Sequence, residues 1–111
     1  MIRSQEVRPL VKIWRDRNFL RVGGIVVNHH FKKLQKVLED TAREEGRIVL
    51  DLRELEFIDE LGVCQLLSFI DQLSQRGIRV ELINAQDKVL SKFLAVGARL
   101  WLDEQLFSKV G

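Results

Sequence analysis

Apolar and polar positions along this chain separate strands from helices. Residues 10–15, LVKIWR, alternate apolar and polar, which predicts a half-buried strand. Asp16-Arg17-Asn18 reads as a turn, and residues 19–27, FLRVGGIVV, predict a second strand paired with the first as a hairpin. The Gly23-Gly24 pair inside that strand marks a bulge or a close backbone approach. Asn28 is an N-cap for a helix running to about Glu45, with Phe31, Leu34, Leu38 and Ala42 on one face and Gly46 as its stop. Residues 47–52, RIVLDL, are nearly continuously apolar, as a covered central strand is. A short loop then leads to Asp59.

The second half repeats the alternation of strand and helix. Residues 60–76 predict a long helix with Val63, Leu66, Leu67, Ile70 and Leu73 as its buried stripe, stopped by Gly77. Residues 78–83, IRVELI, alternate as a fourth strand. Residues 87–96 predict a third helix with Val89, Leu90, Phe93 and Leu94 inward, ended by Gly97. The tail, ARLWLDEQLFSKVG, has no clear period; Leu106-Phe107 are expected to dock on the core. The order is β-β-α-β-α-β-α. Strand–helix–strand units require parallel pairing, and the leading hairpin adds an antiparallel strand. The expectation is an α/β domain with a mixed sheet of four to five strands and three to four helices.

Composition narrows the class. The chain has 111 residues, 46% of them apolar, which suits one domain over residues 1–111 with its core at about 10–108. No apolar run approaches the roughly 20 residues that span a bilayer, and MIRSQEVRPL lacks the apolar centre of a secretion signal. One Cys allows neither an internal disulfide nor a Cys-based metal site, so a reduced cytoplasmic setting is expected. Residues 1–36 hold nine Lys/Arg against two acids, a balance of +7, and the rest of the chain balances at −5. The basic residues are scattered and no nucleic-acid motif accompanies them, so a solvated basic surface is the simpler reading. Neither GxGxxG nor GxxxxGK[ST] occurs, which removes the common phosphate-cradling loops.

Few residues carry candidate chemistry. His29-His30 are helix neighbours about 100° apart, so one metal ion does not readily take both. They read as solvated first-turn residues. Cys64 reads as a core or boundary cysteine, because no Cys-His-Asn set is visible. Trp14 and Trp101 read as core-rim residues, with partner anchoring as the alternative. The adjacent carboxylates of Asp59 and Glu60 lie at a helix start. There, free N–H groups and the macrodipole favour negative charge by about 0.3–1 kcal/mol each. On local physics the pair is structural capping, not an acid–base couple. No catalytic residue, metal or cofactor is expected.

The run IVLDLRELEFIDELGVCQLL resembles the signature of the STAS domain family, the fold of anti-sigma factor antagonists. That signature is an apolar strand, then Asp-Leu, then Phe-Ile-Asp-Ser-x-Gly-Leu and a leucine-rich helix. Asp51-Leu52, Phe57-Ile58-Asp59 and Gly62 match it, Gly24 is similar to an early-strand glycine, and VLSKFLAVG is similar to the family's closing helix. The resemblance implies a non-enzymatic regulatory module that docks on a partner protein. The implied contact residues are Asp59, Glu60, Leu61, Gly62, Val63, Gln65 and Leu66, and the implied partner is an anti-sigma factor or kinase-like protein.

Two departures qualify this. In many members a Ser or Thr directly after the Asp is phosphorylated; here that position is Glu60, and Leu61 also lacks a hydroxyl. Where the family often has Glu-x-Asp after the early glycine, this chain has Ile25-Val26-Val27. The usual phosphoswitch is therefore not expected. Glu60 is either a partial phosphate mimic or a plain helix-start residue. The alternative implied by the resemblance is a STAS subunit of a membrane assembly of the lipid-transport ABC type, docked on its ATPase subunit. A homo-oligomer is compatible with either. Neither reading involves membrane insertion or specific nucleic-acid binding.

Overall fold

The computed structural model describes residues 11–27, 31–96 and 107–108. Strands β1 (Val11–Asp16) and β2 (Phe19–Val26) form the expected antiparallel hairpin, joined at Arg17-Asn18. Helix α1 (Phe31–Glu45) leads to β3 (Arg47–Asp51), which pairs parallel with β2. Strand β4 (Leu55–Ile58) follows, and then helix α2 (Glu60–Gln75). Strand β5 (Arg79–Ile83) lies parallel to β3. Helix α3 (Asp87–Ala95) and the two-residue strand β6 (Phe107–Ser108), parallel to β5, complete the order.

The sheet is mixed. Five strands run in the order β1-β2-β3-β5-β6, and β4 pairs with β2 off this path. Strands β3 and β4 share β2: the first takes Phe19–Arg21, the second Gly24–Val26. The register shifts between Gly24 and Ile25, but the extra residue is Glu56 on β4, not one of the paired glycines. Gly24 has φ 82° and donates its N–H to the Glu54 carbonyl at 3.1 Å. Beside it, a Cβ on Gly23 would meet Glu54 Cβ at 3.2 Å and the Glu54 carbonyl oxygen at 3.3 Å, a close approach that favours glycine.

Strand β4 is an addition to the sequence reading, which has a loop there. Its burial runs buried, exposed, exposed, buried, because Glu56 is an extra, unpaired residue within β4. A strand that short without alternation leaves no period to detect.

From β2 onward the sheet order advances in one direction, so right-handed crossovers put all three helices on one face. Val11, Leu20, Val22, Ile48, Leu50, Val80 and Leu82 point into that side and join the helix stripes in one core. The predicted stripes of α1 and α2 are buried as read. Gly46 and Gly77 end these helices with φ 77° and 81°.

Helix α3 differs. Val89 and Phe93 are buried, Leu90 is half-buried, and Leu94 is 42% exposed. Leu94 lies about 100° round the helix from Phe93. In a helix of nine residues only the 89–93 line meets the core. Trp14, expected at the core rim, is 48% exposed on the helix-free face, and Cys64 is exposed rather than core. The expectations for Asn28, His29, His30, Gly97, Trp101, Leu106 and the Phe107 side chain lie outside the described residues.

Candidate functional site

The C-terminal ends of the parallel strands meet the start of α2. Strand β4 delivers the chain there, and its entry is clamped. Asp51, 3% exposed at the end of β3, accepts hydrogen bonds from the Arg53 N–H at 2.9 Å and from Asn84 Nδ2 at 3.2 Å. Arg21 Nε lies 3.7 Å from its other oxygen. Gln86 Nε2 donates to the carbonyls of Arg53 and Leu55 at 2.7 and 3.2 Å. A buried carboxylate needs such partners, and here they tie the β5–α3 loop to the turn before β4.

Asp59 is the N-cap. Its backbone is extended, with φ −84° and ψ 171°, and its Oδ1 accepts the Gly62 N–H at 2.6 Å. The Asp59 N–H donates to the Val26 carbonyl at 3.2 Å, and the Asp59 carbonyl accepts the first helical bond from Val63 at 2.9 Å. Gly62 is required by space. An added Cβ would sit 2.9 Å from Asp59 Oδ1, 3.0 Å from Ile58 Cγ1 and 3.2 Å from the Val26 carbonyl oxygen.

Glu60 points outward, its side chain 64% exposed, with Oε2 3.5 Å from Lys92 Nζ on α3. The same ammonium lies 5.1 Å from the centre of the Phe57 ring. Phe57 and Leu61, 42% and 57% exposed, flank the helix start with apolar surface. Leu61 also rims a shallow groove of about 290 Å³ between α1 and α2, with Phe31, Gln35, Cys64 and Gln65. Gln65 is half-buried, and among the described residues its Oε1 has no hydrogen-bond partner.

The seven residues singled out in the sequence therefore divide. Glu60 and Leu61 are on the surface, with Asp59 and Gln65 partly so. Gly62, Val63 and Leu66 are buried, and Val63 and Leu66 side chains belong to the core. Beside the exposed ones stand Phe57 and Lys92, which are not among the seven. Phe57 offered little signal, because its apolar neighbour Ile58 is buried and nothing local separates the two. Lys92 offered none, because its pairing with Glu60 spans 32 residues. Ile25-Val26-Val27 are half-buried or buried, so no acidic group stands where the family often has one. Asp59 is committed to the cap and Glu60 to Lys92. Among the described residues no group of three or more His, Cys, Asp or Glu could hold a metal ion.

Comparison with known proteins bears on this geometry. The family model described as STAS domain matches residues 11–111. The Bacillus anti-sigma factor antagonist SpoIIAA, in its unphosphorylated form, superposes with a TM-score of 0.65 at 17% identity, over 91% of this chain and 88% of that one. A putative anti-sigma factor antagonist from Thermotoga maritima gives 0.66 at 12%, over 90% and 87%. SLC26A9 gives 0.69 at 12%, over 82% of this chain but 18% of its own. At these identities the likeness is one of fold. No curated protein matches the sequence significantly.

Proposed function

The chain belongs to the STAS domain family, and on that premise we propose that it is a non-enzymatic docking module, a regulator of the anti-sigma factor antagonist kind. The observation that carries the reading is the exposed apolar pair Phe57 and Leu61 on a helix start made rigid by its cap. Exposed aromatic and aliphatic side chains on a fixed backbone are what a partner protein buries. The implied partner is an anti-sigma factor or a kinase-like regulatory protein in the cytoplasm, bound without cofactor or metal.

Phosphorylation at this helix start is not part of the proposed mechanism. Glu60 and Leu61 have no hydroxyl, and the first hydroxyl on α2 is the exposed Ser68, two turns further on. Glu60 serves the helix start and pairs with Lys92 rather than standing in for phosphate. Affinity capture from cells with the native chain and with Leu61→Asp tests the face. A regulatory protein held by the first and lost by the second is expected; equal capture overturns the docking face. With that protein, Glu60→Gln and Glu60→Ser are expected to bind within about twofold of native, as for an exposed charge at an interface rim.

A second reading rests on the same hydroxyl-free helix start and on the fold shared with part of the anion transporter Slc26a9. There the chain is a STAS subunit of a membrane transport assembly, its α2 face on the ATPase of a lipid-transport ABC system. Among the described residues no helix is long and apolar enough to cross a membrane, so attachment would run through that protein contact. Co-purification with an ATPase subunit, lost in Leu61→Asp, would favour this reading over the first.

A further inference from the structure

The opposite end of the sheet carries a different feature. Arg15, Arg21, Arg43 and Arg76 each lie within 4.0 Å of a carboxylate. Arg17, Arg47 and Arg79 have no ion pair with any described residue. Arg53, the other described arginine without one, stands apart on the β3–β4 turn. The three are neighbours. Arg47 and Arg79 are register partners across β3 and β5, and adjacent strands are about 4.8 Å apart. Ile48 and Val80 point into the core, so the two arginines point to the helix-free face, and both are exposed.

Arg17 stands at the same end of the sheet, in the two-residue turn between Asp16 and Phe19, the register partner of Val49. The Val49 N–H donates to the Asn18 carbonyl at 2.8 Å and holds the turn against the start of β3. Arg17 has φ 59°, a left-handed conformation in which glycine or asparagine is more comfortable. Like charges directly opposite in a sheet destabilise it. The fold thus accepts two unfavourable choices, a strained arginine and a like-charged pair, at one place. Glu81 and Asp16 form no ion pair with the row among the described residues, and Glu44 and Glu45 are taken up by Arg15.

We infer that the row Arg17–Arg47–Arg79 is a binding site for a phosphoryl anion, carried by a free phosphate compound or by a phospholipid headgroup. Guanidinium forks donate pairs of parallel N–H groups to phosphate oxygens, and a phosphate has enough oxygens to meet several forks together. A bound dianion also removes the repulsion between Arg47 and Arg79. Glu81, one row above, weakens the site and sets its affinity.

The test uses the full chain at low ionic strength, with inorganic pyrophosphate in one arm and vesicles of phosphatidic acid in phosphatidylcholine in the other. Saturable binding is expected in at least one arm, and which arm identifies the source. Arg47→Gln/Arg79→Gln is expected to weaken that binding at least about tenfold, and Glu81→Gln to strengthen it about two- to threefold, as loss and gain of charge-assisted contacts. Absence of binding in both arms, or equal binding by the double variant, overturns the site. These variants leave Phe57 and Leu61 untouched, so failure here and failure of the docking face are separate results.

Discussion

The two ends of the parallel strands use charge in opposite ways. At the C-terminal end, Asp59 holds a helix cap, Glu60 meets Lys92, and Asp51 is enclosed by donors. The large apolar side chains exposed beside them are Phe57 and Leu61. At the N-terminal end, Arg17, Arg47 and Arg79 stand open and unpaired among the described residues. Paired charge beside exposed apolar surface suits a protein partner, because little desolvation of lone charge opposes contact. Unpaired cations beside a flat strand end suit a small or headgroup anion.

The largest effect expected separates surface from core within the first end. Leu66 is 1% exposed and Leu61 57%. Leu66→Ala is expected to lower unfolding free energy by about 2–5 kcal/mol, the usual range for a buried leucine. Leu61→Ala is expected to stay within about 0.5 kcal/mol, as exposed positions do, while losing partner capture. Urea unfolding of both variants checks it. Comparable losses would mean that Leu61 is part of the core and not available for docking.

Gly62 gives a smaller and more specific break. Alanine is a better helix former than glycine by about 1 kcal/mol. Against that, its Cβ would press on the Asp59 oxygen that the Gly62 N–H itself holds, 2.9 Å away. Overpacking of this kind costs about 1–3 kcal/mol, so a net loss is expected for Gly62→Ala. Asp59→Ala is expected to lose about 0.5–2 kcal/mol through the cap. Both act on one contact, so the double variant should lose less than the sum. Simple additivity would separate the cap from the glycine.

Much of this architecture was legible in residue order. Helix stripes at three and four spacing, and the glycines at 46 and 77, mark α1 and α2 because burial and left-handed stops are local properties. The Asp59 cap was legible for the same reason. The remainder depended on contacts between distant segments. Strand β4 exists because β2 is long enough to pair twice, which the LEFI run alone does not encode. Leu94 was misread because a stripe's width depends on what the helix packs against. Lys92 and the arginine row come from sheet and helix placement across thirty residues or so, where sequence has no period to follow.

The smallest effect compares the two ends directly. Reversing one charge at each should move stability in opposite directions. At the arginine row, Arg79→Glu turns a like-charged register pair with Arg47 into an opposite one. A gain of about 0.2–1 kcal/mol is expected. At the docking end, Lys92→Glu sets a carboxylate against Glu60 and removes the ammonium from the Phe57 ring. The Glu60 side chain is 64% exposed, so screening keeps that loss to a few tenths, at most about 1 kcal/mol. Measured together at low and high salt, the two shifts should differ in sign and shrink together as salt rises. Shifts of the same sign would mean that the ends do not differ in charge compensation. A gain at Arg79 that persists in high salt would point instead to strand propensity.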